Sequence, residues 1–285
     1  MKIGFLGYGE AAQAFHEGLA PQGVSVIAYD VLLDRDDGAI RIAMAQRGAM
    51  PVDISGLADA DWVFSAVTAD QSLVAVLPLL GHLRQGQVLI DINSVSPDRK
   101  RETAAAVEAA GARYLDMAVM APVYPKKHQT PVLIAGDHAA LFLPELAELG
   151  FAASIAGSQV GAATAIKMVR SLFVKGLEAI TVETLLAAKA SGCFDDIVSS
   201  LSASFPGLGW PTFAEYQMER TTRHGKRRAA EMRESAATLN ALGLRGALAY
   251  EIAEVQDRMG ACDVSAGNDL DEIVSDILRK RLNAS

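Results

Sequence analysis

Short apolar runs alternate with helical stretches along the first half of the chain. The run Lys2–Leu6 precedes a stretch with helical spacing, Glu10–Leu19, and a second apolar run follows at Ser25–Tyr29. The first runs are apolar almost without interruption, which is typical of parallel strands covered on both faces. Because strands separated by helices form right-handed βαβ units, this half predicts a doubly wound α/β sheet. Further strands are predicted at Trp62–Val67, Val88–Ile92, Tyr114–Ala118, Val132–Ala135 and Ala152–Ile155.

The pattern changes near Gly157. From residue 158 to residue 190 there is no proline, and the apolar residues recur at helical spacing, which predicts one long helix of about 33 residues. The chain is therefore expected to divide into an α/β domain, residues 1–157, and an all-helical domain, residues 158–285. The apolar positions of the long helix are Ile166, Val169, Phe173, Leu177 and Ile180, and later helices are predicted at Asp195–Ser204, Thr212–Leu242, Ala247–Met259 and Asp269–Asn283.

Composition and charge exclude several classes of protein and several kinds of partner. The 285 residues are 51% apolar, which excludes intrinsic disorder, and a net charge of −8 argues against a nucleic-acid partner. The N-terminus lacks a signal-peptide pattern, and no apolar run is long enough for a membrane span. The two cysteines and five histidines show no metal-ligand spacing. We expect a cytoplasmic protein with reduced thiols, no metal, and no nucleic-acid or membrane partner.

A glycine-rich turn follows the first predicted strand. It has the spacing GxGxxA, in which Gly7 makes the tight turn and Gly9 lets the backbone approach a pyrophosphate. The small side chain of Ala12 allows close packing of helix and strand, and the helix N-terminus offers amide donors to phosphates. These features predict a Rossmann-type dinucleotide-binding domain over residues 1–157. The turn residues expected to bind the cofactor are Gly7, Tyr8, Gly9, Glu10, Ala11 and Ala12.

The end of the second predicted strand bears on the choice of cofactor. Asp30 stands there, where a carboxylate accepts hydrogen bonds from a ribose diol and repels the 2′-phosphate of NADP. NAD is therefore the expected cofactor. Arg35 keeps NADP open, because its guanidinium is suited to a phosphate.

The long helix carries a lysine with two possible roles. Lys167, Ser171 and Lys175 are spaced at i, i+4 and i+8, so they share one helix face. A lysine beside a nicotinamide binds a substrate hydroxyl and transfers its proton while hydride leaves the carbon. The alternative is a solvated lysine, or one paired with an acid such as Glu178. Helix position alone favours that alternative.

At this point the residues resemble the β-hydroxyacid dehydrogenase family, which includes 3-hydroxyisobutyrate and 6-phosphogluconate dehydrogenases. In that family the catalytic lysine ends a GxGxxxK motif, and Gly161, Ala163 and Lys167 stand in this spacing. The resemblance implies that Lys167 is the catalytic residue. It also implies nicotinamide contacts from Val67, Thr68 and Asn93, and a homodimer formed through the helical domain, residues 158–285.

The chain departs from the family pattern at substrate-facing positions. The family segment Asp-x-Ser-Thr-x-x-Pro is here Asp91–Pro97, with Asn93 at the first hydroxyl position and Ser94 after it. Met120 and Pro122 replace residues of a Ser-Gly-Gly segment, and Ser171 replaces an asparagine. We expect Asn93, Ser94, Met120 and Ser171 to contact the substrate. A less polar pocket suggests a bulkier substrate, such as one with an aryl group.

The segment His224–Met232 resembles a subgroup of the family with an HxxRRxxEM-like C-terminal helix. Its charged residues are spaced to line one helix face, and Arg228 is expected to contact the substrate. A basic solvated face and ion pairs across a dimer remain the alternatives.

The sequence thus predicts an NAD(P)-dependent dehydrogenase that interconverts a small-molecule alcohol, a β-hydroxy acid or a relative of one, and its carbonyl. Two alternatives stay open. One is an enzyme similar to imine reductases, which generally replace the family lysine. The other is an NAD(H)-binding sensor without turnover.

Overall fold

The computed structural model describes residues 1–35, 38–262 and 269–283. It divides into two compact units, Met1–Met168 and Val169–Ser285. The boundary falls inside the long helix, eleven residues later than the sequence pattern suggests. The first turns of that helix belong to unit 1 because their backbone is hydrogen-bonded to the sheet, as described below.

Unit 1 is built on an eight-stranded sheet in the order β3-β2-β1-β4-β5-β6-β7-β8. From β1 the chain moves outward to β2 and β3, and it then returns to the other side of β1 to form β4. This reversal is the topological switch point, where open α/β sheets bind ligands at the carboxyl ends of their strands. The strands are Lys2–Leu6 (β1), Ser25–Tyr29 (β2), Met50–Pro51 (β3), Trp62–Ser65 (β4), Val88–Asp91 (β5), Arg113–Val119 (β6), Val132–Ala135 (β7) and Ala153–Gly157 (β8).

One strand pair departs from the all-parallel arrangement that βαβ units imply. Strand β7 pairs antiparallel with β6, whereas the other pairs are parallel. The link between β6 and β7 contains only the short 3₁₀ turn Lys127–Gln129. Without a crossover helix the chain reverses direction, so this pair is antiparallel. The two-residue strand β3 was not predicted.

Ten α-helices lie within the described residues. The long helix begins at Ala162, after Gly161, so it has 29 residues where the sequence predicted about 33. The helices are Glu10–Leu19 (α1), Gly38–Arg47 (α2), Ser72–Val76 (α3), Pro97–Ala109 (α4), Ala139–Glu148 (α5), Ala162–Ala190 (α6), Phe194–Ser204 (α7), Thr212–Ala241 (α8), Ala247–Gly260 (α9) and Leu270–Asn283 (α10).

The apolar stripe of α6 does not lie in the core of unit 2. Val169, Phe173 and Ile180 are 54%, 73% and 68% exposed. Other residues of α6, among them Val182 and Leu185, form the core with α8, α9 and α10. The periodicity predicted the helix correctly, but the stripe faces outward. Among the described residues, no helix has the length and apolar character needed to cross a membrane.

Candidate functional site

The glycine turn lies at the switch point of the sheet. Gly7 has φ of +85°, and a Cβ atom there would be 2.7 Å from the Ala66 carbonyl oxygen, so both the backbone and the space demand glycine. A Cβ atom on Gly9 would meet no protein atom within 4 Å. The turn is therefore packed against the segment that follows β4 at Gly7, and it faces open space at Gly9, where a pyrophosphate would lie.

Asp30 braces this turn. Its Oδ2 atom accepts a hydrogen bond from the Tyr8 amide at 2.8 Å, and its Oδ1 atom accepts one from the Leu32 amide at 3.0 Å. Each carboxylate oxygen has a further lone pair, so Asp30 can still accept hydrogen bonds from a ribose diol. Helix α1 begins at Glu10, directly after Gly9, and its first amides face the same region. These residues fit a dinucleotide.

The Tyr8 side chain points into the core. It is fully buried, and its hydroxyl shares a hydrogen bond of 2.6 Å with His16 Nδ1. Burial raises the pKa of Tyr8 to about 12 and lowers the pKa of His16. Only the backbone of Tyr8 is thus placed at the turn.

Asn93 joins the loops that follow β4 and β5. Its Oδ1 atom accepts a hydrogen bond from the Val67 amide at 2.8 Å, and its Nδ2 atom donates to Ser65 Oγ at 2.9 Å. The side chain is buried, while Thr68 is exposed and Ser94 is half-buried. Asn93 therefore shapes the loop containing Val67 and Thr68 through its amide group.

The first turn of α6 is tied to the carboxyl edge of the sheet. Asp116 Oδ2 accepts hydrogen bonds from the Gly161 and Thr164 amides at 3.1 and 3.3 Å. Thr164 Oγ1 donates to the Val95 carbonyl at 2.6 Å, which links the helix to the loop of Asn93 and Ser94. Lys167 follows three residues later and is half-buried.

Met120 lies beside the same helix. It packs against a small cluster of buried alanines that includes Ala163, and its amide donates to the Pro131 carbonyl at 2.9 Å. Pro122 is exposed. Unit 1 thus brings together, near one edge of the sheet, the turn Gly7–Ala12 with Asp30, the loops of Val67 and Asn93, and the helix start before Lys167.

Unit 2 contains a buried polar cluster along α6. Lys175 Nζ donates to Ser171 Oγ at 3.2 Å and pairs with Glu231 Oε2 at 2.8 Å. Glu178 accepts hydrogen bonds from Arg228, through Nε at 3.0 Å and through Nη2. Gln256 Nε2 donates to the same carboxylate at 2.9 Å. The two cations and two carboxylates balance one another.

This cluster accounts for part of the His224–Met232 segment. Arg228 and Glu231 pair with residues of α6, Met232 is buried, and Lys226 and Arg227 are exposed. The exposed pair fits the basic solvated face that the sequence left open. The buried pairs lie within one chain, an arrangement that the sequence pattern did not indicate for these residues.

The described residues bring no group of three His, Cys, Asp or Glu side chains together in a way that could hold a metal ion.

The sequence pattern did not predict the buried residues that hold the loop of Asn93 and the start of α6. Among them are Lys100 and Asp116, and both are fully buried. For Lys100 a signal exists, because it lies at i, i+4 and i+7 with the buried Ala104 and Val107. A lysine on the apolar face of a helix indicates a buried ion pair. Gln256 offers no comparable signal.

Comparison with known proteins decides the family. The profile of the NAD binding domain of 6-phosphogluconate dehydrogenase matches residues 2–145, half of the chain. The chain belongs to the β-hydroxyacid dehydrogenase family. A domain of unknown function, DUF1932, matches residues 188–259, in the helical unit. The members of this family are NAD(P)-dependent dehydrogenases that act on CH–OH groups, and the Rossmann-type sheet with a C-terminal helical domain agrees with that assignment.

Several individual proteins resemble this family member along most of its length. The 2-(hydroxymethyl)glutarate dehydrogenase of Eubacterium barkeri is 25% identical over 76% of this chain and 73% of its own. A conserved hypothetical protein from Sinorhizobium meliloti 1021 is 33% identical, with a TM-score of 0.74, over 98% of this chain and 96% of its own.

Two further solved structures share the fold. The 3-hydroxyisobutyrate dehydrogenase of Mycobacterium tuberculosis, solved with L-serine, is 17% identical, with a TM-score of 0.69 over 98% of both chains. An imine reductase from Myxococcus stipitatus, solved with NADP+, is 19% identical, with a TM-score of 0.56 over 99% of this chain and 100% of its own.

Proposed function

We propose that this β-hydroxyacid dehydrogenase family member uses NAD to interconvert an alcohol and its carbonyl, with Lys167 as the acid and base. The observation that carries the proposal is the tether between Thr164 Oγ1 and the Val95 carbonyl at 2.6 Å. It fixes the helix turn before Lys167 against the loop of Asn93 and Ser94. Lys167 completes the GxGxxxK spacing at this position.

The residues around Gly9 would hold the cofactor. The amides at the start of α1 would bind the pyrophosphate, and Asp30 would accept hydrogen bonds from the ribose hydroxyls. A carboxylate at this position repels a 2′-phosphate, which favours NAD. The exposed Arg35 is the reason to test NADP as well.

Bound NAD supplies a hydride acceptor, and the protein supplies the proton transfer. In the direction of oxidation, neutral Lys167 Nζ accepts the hydroxyl proton of the substrate, and in reduction the ammonium returns it. Ser94 and Ser171 would orient the substrate oxygens. Lys175 has only donors, so Ser171 Oγ accepts its hydrogen bond and keeps its own proton for a substrate oxygen.

The substrate is proposed to be a β-hydroxy acid or a related hydroxy compound with a bulkier, apolar or aryl group. The E. barkeri relative is named for a hydroxymethyl-bearing acid, which is a compound of this class. Met120 packs beside α6 where the family usually has a small polar segment, and this leaves room for apolar contact. The guanidinium of Arg228 is bound to Glu178, so its contact with substrate remains a prediction.

A substrate screen tests the proposal. Wild type and Lys167→Ala are assayed with NAD and NADP against matched alcohols, carbonyls and cyclic imines. We expect alcohol turnover with NAD to fall by about 10²- to 10⁴-fold in Lys167→Ala, because a general acid and base is lost. NADH binding, followed by fluorescence, is expected to stay unchanged.

Other results would overturn the proposal. Turnover of cyclic imines that survives Lys167→Ala would indicate imine reductase chemistry. Binding of NADH without turnover of any compound in the panel would indicate a sensor. Alcohol turnover unaffected by Lys167→Ala would leave the dehydrogenase assignment but remove Lys167 from its role.

We also propose that the protein is a cytoplasmic homodimer. An exposed stripe on α6 supports the dimer, because three large apolar side chains on one helix face are unfavourable in water. The stripe consists of Val169, Phe173 and Ile180. Ser171, Lys175 and Glu178 lie on a different face of the same helix and are buried. A second copy that covers the stripe would therefore leave the polar cluster in place.

A further inference from the structure

A fully buried lysine lies between two carboxylates beneath the candidate site in unit 1. Asp91, the last residue of β5, and Asp116, within β6, are register partners in parallel strands, so their like charges are adjacent. Lys100, from α4, reaches between them. Its Nζ atom is 3.1 Å from Asp91 Oδ1, 3.3 Å from Asp116 Oδ1 and 2.6 Å from the Asp91 carbonyl oxygen. All three side chains have zero exposure.

Each carboxylate also holds a segment of the candidate site. Asp91 Oδ1 accepts a hydrogen bond from the Asn93 amide at 2.8 Å, and Asp91 Oδ2 accepts one from the Tyr114 hydroxyl at 2.6 Å. Asp116 Oδ2 accepts from the Gly161 and Thr164 amides. Among the described residues Asp116 Oδ1 makes no hydrogen bond, so the ammonium of Lys100 is what balances it.

Gly161 shows how closely the helix approaches this cluster. Its φ is +96°, and a Cβ atom there would be 3.0 Å from the Pro97 Cβ atom at the start of α4. The start of α6 is thus pressed against the helix that carries Lys100. A small displacement of either helix would change the hydrogen bonds that Asp116 accepts.

Fold stability alone does not require an ion cluster at this position. Burying an ion cluster is often no better for stability than well-packed apolar side chains of similar volume. A satisfied buried network does, however, fix the positions of the groups it joins. Here it joins two segments about 70 residues apart in sequence, the loop after β5 and the start of α6.

We propose that Lys100 is a positioning residue for the reaction. By pairing with both Asp91 and Asp116 it holds the loop of Asn93 and the helix turn before Lys167 in one fixed geometry. The effect on catalysis rests on the proposed function, but the coupling between the two segments does not. A misplacement of about 1 Å in a catalytic group can cost about 10²-fold in rate.

The test compares Lys100→Met with Arg99→Met. Arg99 is the neighbouring residue on α4, and it is partly exposed with a loose ion pair to Glu102 at 3.8 Å. In Lys100→Met we expect kcat to fall at least about tenfold, because the catalytic group is misplaced. We expect ADP-ribose to keep its Kd within about twofold, because its proposed site, Gly7–Ala12 with Asp30, lies outside the cluster.

Hydrogen exchange measured by mass spectrometry gives a readout that needs no turnover. In Lys100→Met, exchange should rise together in peptides covering residues 91–97 and 160–168, and it should stay unchanged in Arg99→Met. Exchange that is the same in Lys100→Met and wild type in either segment would overturn the proposal. A rise confined to α4 would overturn it as well. A rise spread evenly over unit 1 would also overturn it, because that result indicates general destabilisation.

A second variant decides the question if Lys100→Met does not fold. Lys100→Gln removes the positive charge and keeps a hydrogen-bond donor on the same helix face. It should raise exchange in the same two segments and lower kcat more than it changes KM. Unchanged exchange in Lys100→Gln would overturn the proposal.

The two proposals fail in different ways. If the wild type turns over no substrate but exchange responds as expected, the proposed function is wrong and the positioning role of Lys100 stands. If the wild type is active and Lys100→Met keeps its kcat and its exchange, the Lys100 proposal is wrong and the proposed function stands.

Discussion

Removal of Glu178 should be among the most damaging single changes in unit 2. The Glu178→Ala variant leaves the Arg228 guanidinium, 6% exposed, without a counter-charge, and leaves Gln256 Nε2 without its acceptor. Breaking one side of a buried ion pair typically costs about 3–5 kcal/mol in unfolding free energy. For a domain of this size, each kcal/mol lowers Tm by roughly 4 °C or somewhat more, so we expect a decrease of more than about 10 °C.

The assay needs a signal from unit 2 alone. The chain has two tryptophans, Trp62 in β4 of unit 1 and Trp210 in unit 2. In a Trp62→Phe background, fluorescence during urea or thermal unfolding therefore reports on unit 2. The matched control is Glu254→Ala, which breaks a half-exposed pair with Arg233 and should cost only about 0.2–1 kcal/mol.

A double variant separates a structural role of Arg228 from substrate binding. Replacing Arg228 and Glu178 together by Met removes both charges, so most of the lost stability should return. If the only role of Arg228 is to pair with Glu178 on α6, the double variant has the same KM as the wild type. If Arg228 contacts substrate, KM rises although stability has recovered. A structural role of the buried Glu178–Arg228 pair is refuted if Glu178→Ala costs no more unfolding free energy than Glu254→Ala.

Three further predictions concern the turn, a buried histidine and the exposed stripe. Gly7→Ala should lower both Tm and the affinity for NADH. Gly9→Ala should lower only the affinity, because a Cβ atom on Gly9 meets no protein atom within 4 Å. Thermal unfolding measures Tm, and fluorescence titration measures the affinity. Burial lowers the pKa of His16 below its ordinary value of 6.5, so its stabilising contribution is complete above pH 6.5 and is lost as the pH falls through the lowered pKa. Tm should therefore fall more steeply with acidification in wild type than in His16→Gln, and equal slopes would contradict this. Phe173→Glu should convert the proposed dimer to a monomer in light scattering, while the exposed Leu141→Glu in unit 1 should not.

The sequence predicted the first part of the fold to the residue, and the reasons are local. Strands β1 and β2 and helix α1 have the bounds that the apolar runs and the glycine turn indicate. The direction of β7 could not be predicted in this way, because an apolar run is the same in parallel and antiparallel pairs. Only the absence of a helix between β6 and β7 decides it.

The candidate site was predictable where a turn or a spacing imposes it. Gly7 and Gly9 were predictable because a bound dinucleotide constrains the backbone of the turn. Asp30 was predictable because a carboxylate at the end of the second strand can accept hydrogen bonds from a ribose diol. Lys100 stands in the charged string Asp98–Glu102, where a surface lysine is the ordinary interpretation. Its burial depends on Asp91 and Asp116, which reach it only when β5 and β6 align. The spacing of Lys100 with Ala104 and Val107 indicates burial, but no local pattern identifies the two carboxylates that pair with it.

The departure from the family pattern on α6, Ser171 in place of an asparagine, bears on the proposed substrate chemistry. The NH₂ group of an asparagine side chain is always a hydrogen-bond donor, whereas a serine hydroxyl can act as a donor or as an acceptor. Lys175 fixes the direction at Ser171, because an ammonium can only donate. Glu231 cancels the charge of that lysine, so the pair presents a donor without added positive charge. If Ser171 contacts the substrate as proposed, this arrangement favours a neutral substrate oxygen over a second carboxylate at that position.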